Sequence, residues 1–146
     1  MMRVPRMILI RVVVLTTFTM LIAACGDPVK EAKIAAQLRS RIETALSRME
    51  TTGQVPGLQH RHVTVDPDSD VGGFAIKIYD VKLGTAEIGF QAFKEMTFNL
   101  TRSDATHFLA TDFKLRPEPV ANGPKQSAEA LIEHLKNETA MIRISD

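Results

Sequence analysis

From residue 31 onward the chain changes its hydrophobic period twice. Ile34, Leu38, Ile42, Ala45, Leu46 and Met49 recur at helical spacing, with Lys33, Arg39, Arg41, Glu43 and Arg48 between them. This predicts an amphipathic helix from near Pro28 to just before Gly53, a residue suited to a left-handed stop. The apolar stripe covers only about two to three heptads and includes the small Ala45, which favours packing on a sheet over a free-standing coiled coil. GQVPGLQ (53–59) reads as a loop by its two glycines and Pro56.

Beyond the loop the period becomes two. Val63 and Val65 alternate with polar neighbours, as do Phe74, Ile76 and Ile78, then Ile88 and Phe90, then Met96, Phe98 and Leu100. Such alternation predicts strands with one buried face. The apolar set moves from even positions (74, 76, 78) to odd ones (81, 83) across Tyr79 and Asp80, which predicts a bulge or twist there. Residues 63–83 and 96–115 echo one another: a strand, a turn with Ser69-Asp70 or Ser103-Asp104, then a strand ending Asp80 to Leu83 or Asp112 to Leu115. Each unit reads as a β-hairpin; duplication and chance are the two origins open for the likeness.

GTAEIGFQAFKE (84–95) is either an additional strand or the start of one long strand, and RPEPVANGP, with three prolines, stops the sheet. Ala128, Leu131, Ile132 and Leu135 share one helical face and predict a second helix over 125–138. AMIRISD (140–146) is either a fray of that helix or a short edge strand. The fold class expected is α+β: an N-terminal amphipathic helix, an antiparallel β-meander of about four to five strands in two similar hairpins, and a C-terminal helix.

The N-terminal residues follow another logic. MMRVPRMILIR contributes Arg3, Arg6 and Arg11 and no acidic residue, and Val12 to Ala24 are mostly apolar. A positive n-region, a short h-region and small residues at its end are the layout of a secretory signal. The apolar run is shorter than the roughly 20 residues a spanning helix needs, and extending it backwards would bury Arg11. The ending Ile22-Ala23-Ala24-Cys25 resembles the lipobox of bacterial lipoproteins, and residues 1–25 are identified on it as a lipoprotein precursor signal. The resemblance implies a thioether-linked diacylglycerol on Cys25, cleavage between Ala24 and Cys25, and as a rule acylation, palmitate included, of the new amino group. It gives residues 1–24 as signal peptide, 25–30 as a short tether and 31–146 as a single α+β domain. The location it implies is the bacterial cell envelope, with the domain on the periplasmic side of its membrane.

Composition adds three constraints. Residues 25–146 are about the commonest size for one domain. Three of the eighteen basic residues and none of the seventeen acidic ones lie in residues 1–24, so the remainder carries fifteen basic against seventeen acidic groups. A near-neutral chain without a basic patch argues against nucleic acid as a partner. Six of the seven phenylalanines and Tyr79 fall between residues 74 and 113, which puts the core in that segment. Cys25 is the only cysteine, so no intramolecular disulfide forms, and lipidation gives that cysteine another role.

Candidate chemistry beyond the anchor is thin. Asp66, Asp68 and Asp70 have a one-three-five spacing, but an EF-hand needs glycine and glutamate where Val71 and Lys77 stand. A solvated turn is the better reading. His60 and His62 would share one side of a strand and could share a metal, yet neither a carboxylate nor a third histidine stands close by in sequence. There is no G-x-S-x-G elbow, Asp80 and Asp112 each sit beside a lysine (Lys82, Lys114), and the Asn99 and Asn137 sequons carry little meaning in a bacterium. No catalytic residue, metal site or cofactor is expected, and the chain is not expected to be an enzyme; His107 or the acidic turns would be the starting points for one.

Two functional classes remain. The first is a lipid-anchored envelope protein of non-catalytic role, a protein-interaction or accessory domain whose sheet presents an exposed apolar or mixed patch to another envelope protein. The alternative is an apolar-ligand or lipid-binding periplasmic module, whose mark would be a hollow lined by Phe90, Phe98 and Phe113. Phenylalanines that fill the space under the helix support the first class.

Overall fold

A computed structural model describes residues 28–104, 107–117 and 125–144 of the chain. The signal, the lipobox with Cys25, and Gly26 and Asp27 of the tether lie outside the described residues. The chain divides into two compact units, Met1–Lys33 and Ile34–Asp146. Of the first unit, Pro28–Lys33 form the opening turns of a helix, so Pro28, Val29 and Lys30 of the tether segment are helical.

The elements in order are helix α1 (Pro28–Thr52), strand β1 (His62–Asp68), a short 3-10 turn (Ser69–Val71), β2 (Gly73–Thr85), β3 (Gly89–Arg102), β4 (Phe108–Arg116) and helix α2 (Lys125–Ala140). The four strands make one antiparallel sheet in the order β1-β2-β3-β4. The architecture is the expected α+β helix, meander and helix, with four strands. GTAEIGFQAFKE resolves into the end of β2, a turn over residues 86–88 and the start of the long β3.

Local sequence explains the boundaries. Gly53 takes φ +71° and its N–H donates to the Met49 carbonyl at 3.1 Å, closing α1 with the left-handed residue that only glycine adopts without a Cβ penalty. The 53–59 loop then lies along β2: Gln59 and Lys82 exchange backbone hydrogen bonds at 2.9 Å each, and the Gly84 N–H donates to the Pro56 carbonyl at 2.8 Å. Gly57 has no room for a side chain, since a Cβ there would stand 1.8 Å from the Gly84 carbonyl oxygen.

One hydrophobic cluster joins the elements of the second unit. Ile34, Leu38, Ile42, Leu46 and Met49 of α1 belong to it with Phe74, Ile76 and Ile78 of β2, Met96, Phe98 and Leu100 of β3, and Leu131 and Leu135 of α2. Burying each such side chain contributes about 1.5–3 kcal/mol. After α2, the N–H groups of Met141 and Ile142 close the last turn on the Glu138 and Thr139 carbonyls, and residues 142–144 are neither helix nor strand. Ile142 and Ile144 nevertheless alternate into the core, so residues 142–144 are neither the helical fray nor the edge strand expected, while Ser145 and Asp146 lie outside the described residues.

The switch of the buried set has two distinct forms. At Asp112 (φ +60°) it is a bulge: Thr97 faces Lys114 and Asn99 faces Thr111, so Phe98 opposes two residues of β4. At Asp80 (φ +53°) it is a twist: Tyr79 faces Glu95 and Val81 faces Phe93 in unbroken count, and β3 changes its buried face together with β2. Past this twist the odd positions of β3 are inward, so even-numbered Phe90 and Ala92 point outward. This corrects the reading of Ile88 and Phe90 as one buried strand face: Ile88 lies in the turn and Phe90 is 74% exposed. The two hairpins thus share a left-handed aspartate before a buried leucine, Leu83 or Leu115, but pair in different registers. A left-handed conformation costs about 1–2 kcal/mol for a residue with a Cβ, less for Asp than for a β-branched residue. Asp80→Gly is therefore expected to leave stability within about 1 kcal/mol of wild type or raise it, and Asp80→Val to lower it by about 1–2 kcal/mol, read from urea unfolding midpoints.

Candidate functional site

The lipid attachment residue, Cys25, lies outside the described residues, so the surface of the folded domain is where geometry bears on function. Strand register maps the sheet face opposite the core. One row across it is His62, Tyr79, Glu95 and Arg116; the next is Thr64, Lys77, Thr97 and Lys114; a third is Asp66, Ala75, Asn99 and Thr111. These side chains are half-buried or exposed. The His62 and Tyr79 rings stack with centroids 4.4 Å apart and planes at 17°, and Leu109 at the β4 end is 57% exposed. The face is mixed: short hydroxyl and amide side chains, two lysines, and one aromatic pair.

Ion pairs decorate its rim. Arg116 Nη1 lies 3.7 Å from Glu95 Oε1, Lys114 Nζ 3.6 Å from Asp112 Oδ2, and Arg61 Nη1 3.4 Å from Asp80 Oδ2. Exposed pairs of this kind contribute about 0–1 kcal/mol, so they orient side chains rather than hold the fold. Register also keeps Asp80 and Asp112 apart: the first is level with Lys94 of β3 and the second with Phe98.

The histidines take separate partners. His60, ahead of β1, meets Glu50 of α1 through Nδ1 to Oε1 at 2.6 Å, while His62 stacks on Tyr79 on the open face. Of the three aspartates, Asp68 caps the 3-10 turn by accepting the Asp70 N–H at 3.0 Å. Asp104 similarly accepts the His107 N–H at 2.9 Å, with the ring Nδ1 2.8 Å from the same carboxylate. Among the described residues no three His, Cys, Asp or Glu side chains come together as a metal site.

The three phenylalanines named for a hollow do not converge. Phe98 and Phe113 stack at 4.7 Å and 14°, while Phe90 projects from the far end of β3. A shallow pocket of about 200 Å³ lies between Ile42 and Ala45 of α1 and Leu135 and Ile142 on the α2 side. A larger one, about 390 Å³, opens at the β2–β3 tip among Gly57, Gln59, Lys82, Leu83, Gly84 and the 90–92 segment.

That tip carries two features that the alternation of the sequence hides. The Gln91 carboxamide has both its nitrogen and its oxygen buried without a hydrogen-bond partner. Among the described residues, 89–94 of β3 pair with β2 only, and the ladder to β4 begins at Glu95. A glutamine inside the otherwise apolar FQAF was the available signal. Compared with protein-family models, curated proteins and solved structures, the chain matches none.

Proposed function

We propose that this chain is a lipid-anchored envelope protein of non-catalytic, accessory role, held at its membrane through Cys25 and contacting another envelope protein through the open face of its sheet. The observation that carries the reading is the N-terminal pattern: three arginines, a short apolar run, then Ile22-Ala23-Ala24-Cys25. The mixed open face, with the His62–Tyr79 stack and exposed Leu109, supports the contact, because aromatic and exposed apolar side chains on a solvent-facing sheet suit a protein partner. The well-filled centre, where Phe98 packs on Phe113, also favours contact at the surface over ligand enclosure.

Native mass spectrometry of the protein extracted gently from its own membrane tests both halves of the proposal. The expected mass is that of residues 25–146 plus a diacylglyceryl group and an acyl chain, with a protein retained. An unmodified chain would remove the anchor; a retained lipid or small apolar molecule in place of a protein would turn the role to that of a carrier.

A further inference from the structure

We propose that one exposed stripe of α1 is a docking surface for an anionic phospholipid bilayer, the leaflet that carries the acylated Cys25. This rests on the anchor reading and deepens it: the lipid holds the chain, and the stripe sets which side of the domain meets the membrane. The helix is one element over Pro28–Thr52. Lys30, Lys33, Gln37, Arg41, Thr44 and Arg48 follow one another along it at steps of three or four residues, the spacing that keeps side chains on one face. All six are exposed. The stripe holds four basic residues and no acidic one, and extends about 27 Å from Lys30 to Arg48 at the helical rise. Glu43 and Glu50 lie off it, the first 3.4 Å from Arg39 Nε and the second against His60. Spread along α1 in this way, the basic residues form no run in the sequence.

The end of α2 widens this surface. Arg41, Thr44 and Arg48 border the same shallow pocket as Met141, which is 68% exposed. Arg143, two residues on, is exposed as well, while Ile142 and Ile144 turn into the core. Glu138 is the acidic group among the described residues that line the pocket, and Arg48 engages it. Charge complementarity selects an anionic surface, and position selects a membrane. Only Gly26 and Asp27 separate Cys25 from Pro28, no more than about 11 Å of chain, so the headgroups stand within reach of the first turns of α1. Basic residues clustered on an amphipathic helix attract anionic headgroups, and their long stems let the charges reach the phosphates. Met141 fits between headgroups, where an apolar side chain is buried at the acyl boundary. Because α1 packs on the core side of the sheet, docking here leaves the open face uncovered for a protein partner.

The test uses the full chain extracted from its own membrane and reconstituted into vesicles. With Cys25 in a thioether, Thr44→Cys supplies a single reactive thiol in the middle of the stripe, and Thr111→Cys supplies one on the open face as the control. A polarity-sensitive fluorophore on each is read against a nitroxide quencher carried on lipid headgroups. In vesicles of equal parts phosphatidylglycerol and phosphatidylcholine, the label at position 44 is expected to be quenched and the one at position 111 to stay in water. Pure phosphatidylcholine should leave both in water, as should a rise in salt from about 0.1 to 1 M, which shortens the screening length from about 10 to 3 Å. Each Lys or Arg near an anionic surface changes partition about fivefold, so Lys33→Gln combined with Arg41→Gln should lower the docked-to-undocked ratio about 25-fold with the circular dichroism spectrum unchanged. Two reactive thiols in Thr44→Cys would remove the anchor, and the same comparison in a Cys25→Ser background then decides the stripe alone. Quenching at position 44 that ignores lipid charge, equals that at position 111 or survives the double substitution overturns the docking surface. So does a label that stays in water on both vesicles, the result expected if the stripe serves an acidic protein.

Discussion

Phe98→Ala is expected to lower the stability of the domain by about 3–5 kcal/mol. Phe98 is 1% exposed and lies where three features meet. It belongs to the central strand β3, its ring stacks on Phe113 at 4.7 Å, and the β4 bulge gives it two opposing residues, Asp112 and Phe113. That bulge lets Phe113 cover a ring that regular pairing would have set against a single residue. Truncation removes the transfer free energy of the ring, leaves a cavity in a packed interior, and forfeits the roughly 0.5–1.5 kcal/mol that an aromatic pair adds beyond its area. Domains of this size are stable by about 5–15 kcal/mol, so the urea midpoint should fall by about a fifth or more with little change in slope. Phe90→Ala is the internal contrast, expected within about 0.5 kcal/mol of wild type because its ring is largely in water. A loss below about 1 kcal/mol for Phe98→Ala would mean that the ring is not part of the closed core.

The contrast between these two phenylalanines shows where sequence reading succeeds here. The stripe from Ile34 to Met49 and the stop at Gly53 were legible because a helix buries a face at a fixed spacing and glycine alone takes the left-handed exit freely. The β-meander was legible for a related reason: alternation at 74, 76 and 78 and at 96, 98 and 100 survives over several residues. Phe90 was misread because alternation tells which residues share a face but not which face is inward, and the twist at Asp80 exchanges the two. The shift from even to odd positions in β2 did announce that twist, yet only pairing shows that β3 turns with it. Ile142 and Ile144 are buried without ladder partners, and a period of two cannot distinguish such a segment from a strand. As for the candidate surface, the outward rows followed from alternation, but the neighbours in each row came from register.

Cys25→Ser is expected to abolish fatty-acid incorporation and to move the protein out of the detergent phase in cloud-point partitioning. Serine keeps the size of the side chain and removes the sulfur on which the implied thioether depends, so the substitution separates chemistry from shape. The magnitude follows from chain number. Each buried methylene contributes about 0.8 kcal/mol, a single 14-carbon chain gives only reversible membrane binding, near 10⁴ M⁻¹, and a second chain makes the attachment stable. A thioether diacylglycerol supplies two chains at one residue. The substituted chain can still reach the membrane through an uncleaved apolar segment at Val12 to Ala24, so fractionation alone does not decide the point. Covalent mass and labelled palmitate do, because neither arises from an apolar helix. Wild-type chain without label, or label unchanged in Cys25→Ser, would return the N-terminus to an ordinary signal or anchor. The open face would then keep its geometry but lose the membrane as its setting, since the envelope location rests on the pattern around this one sulfur.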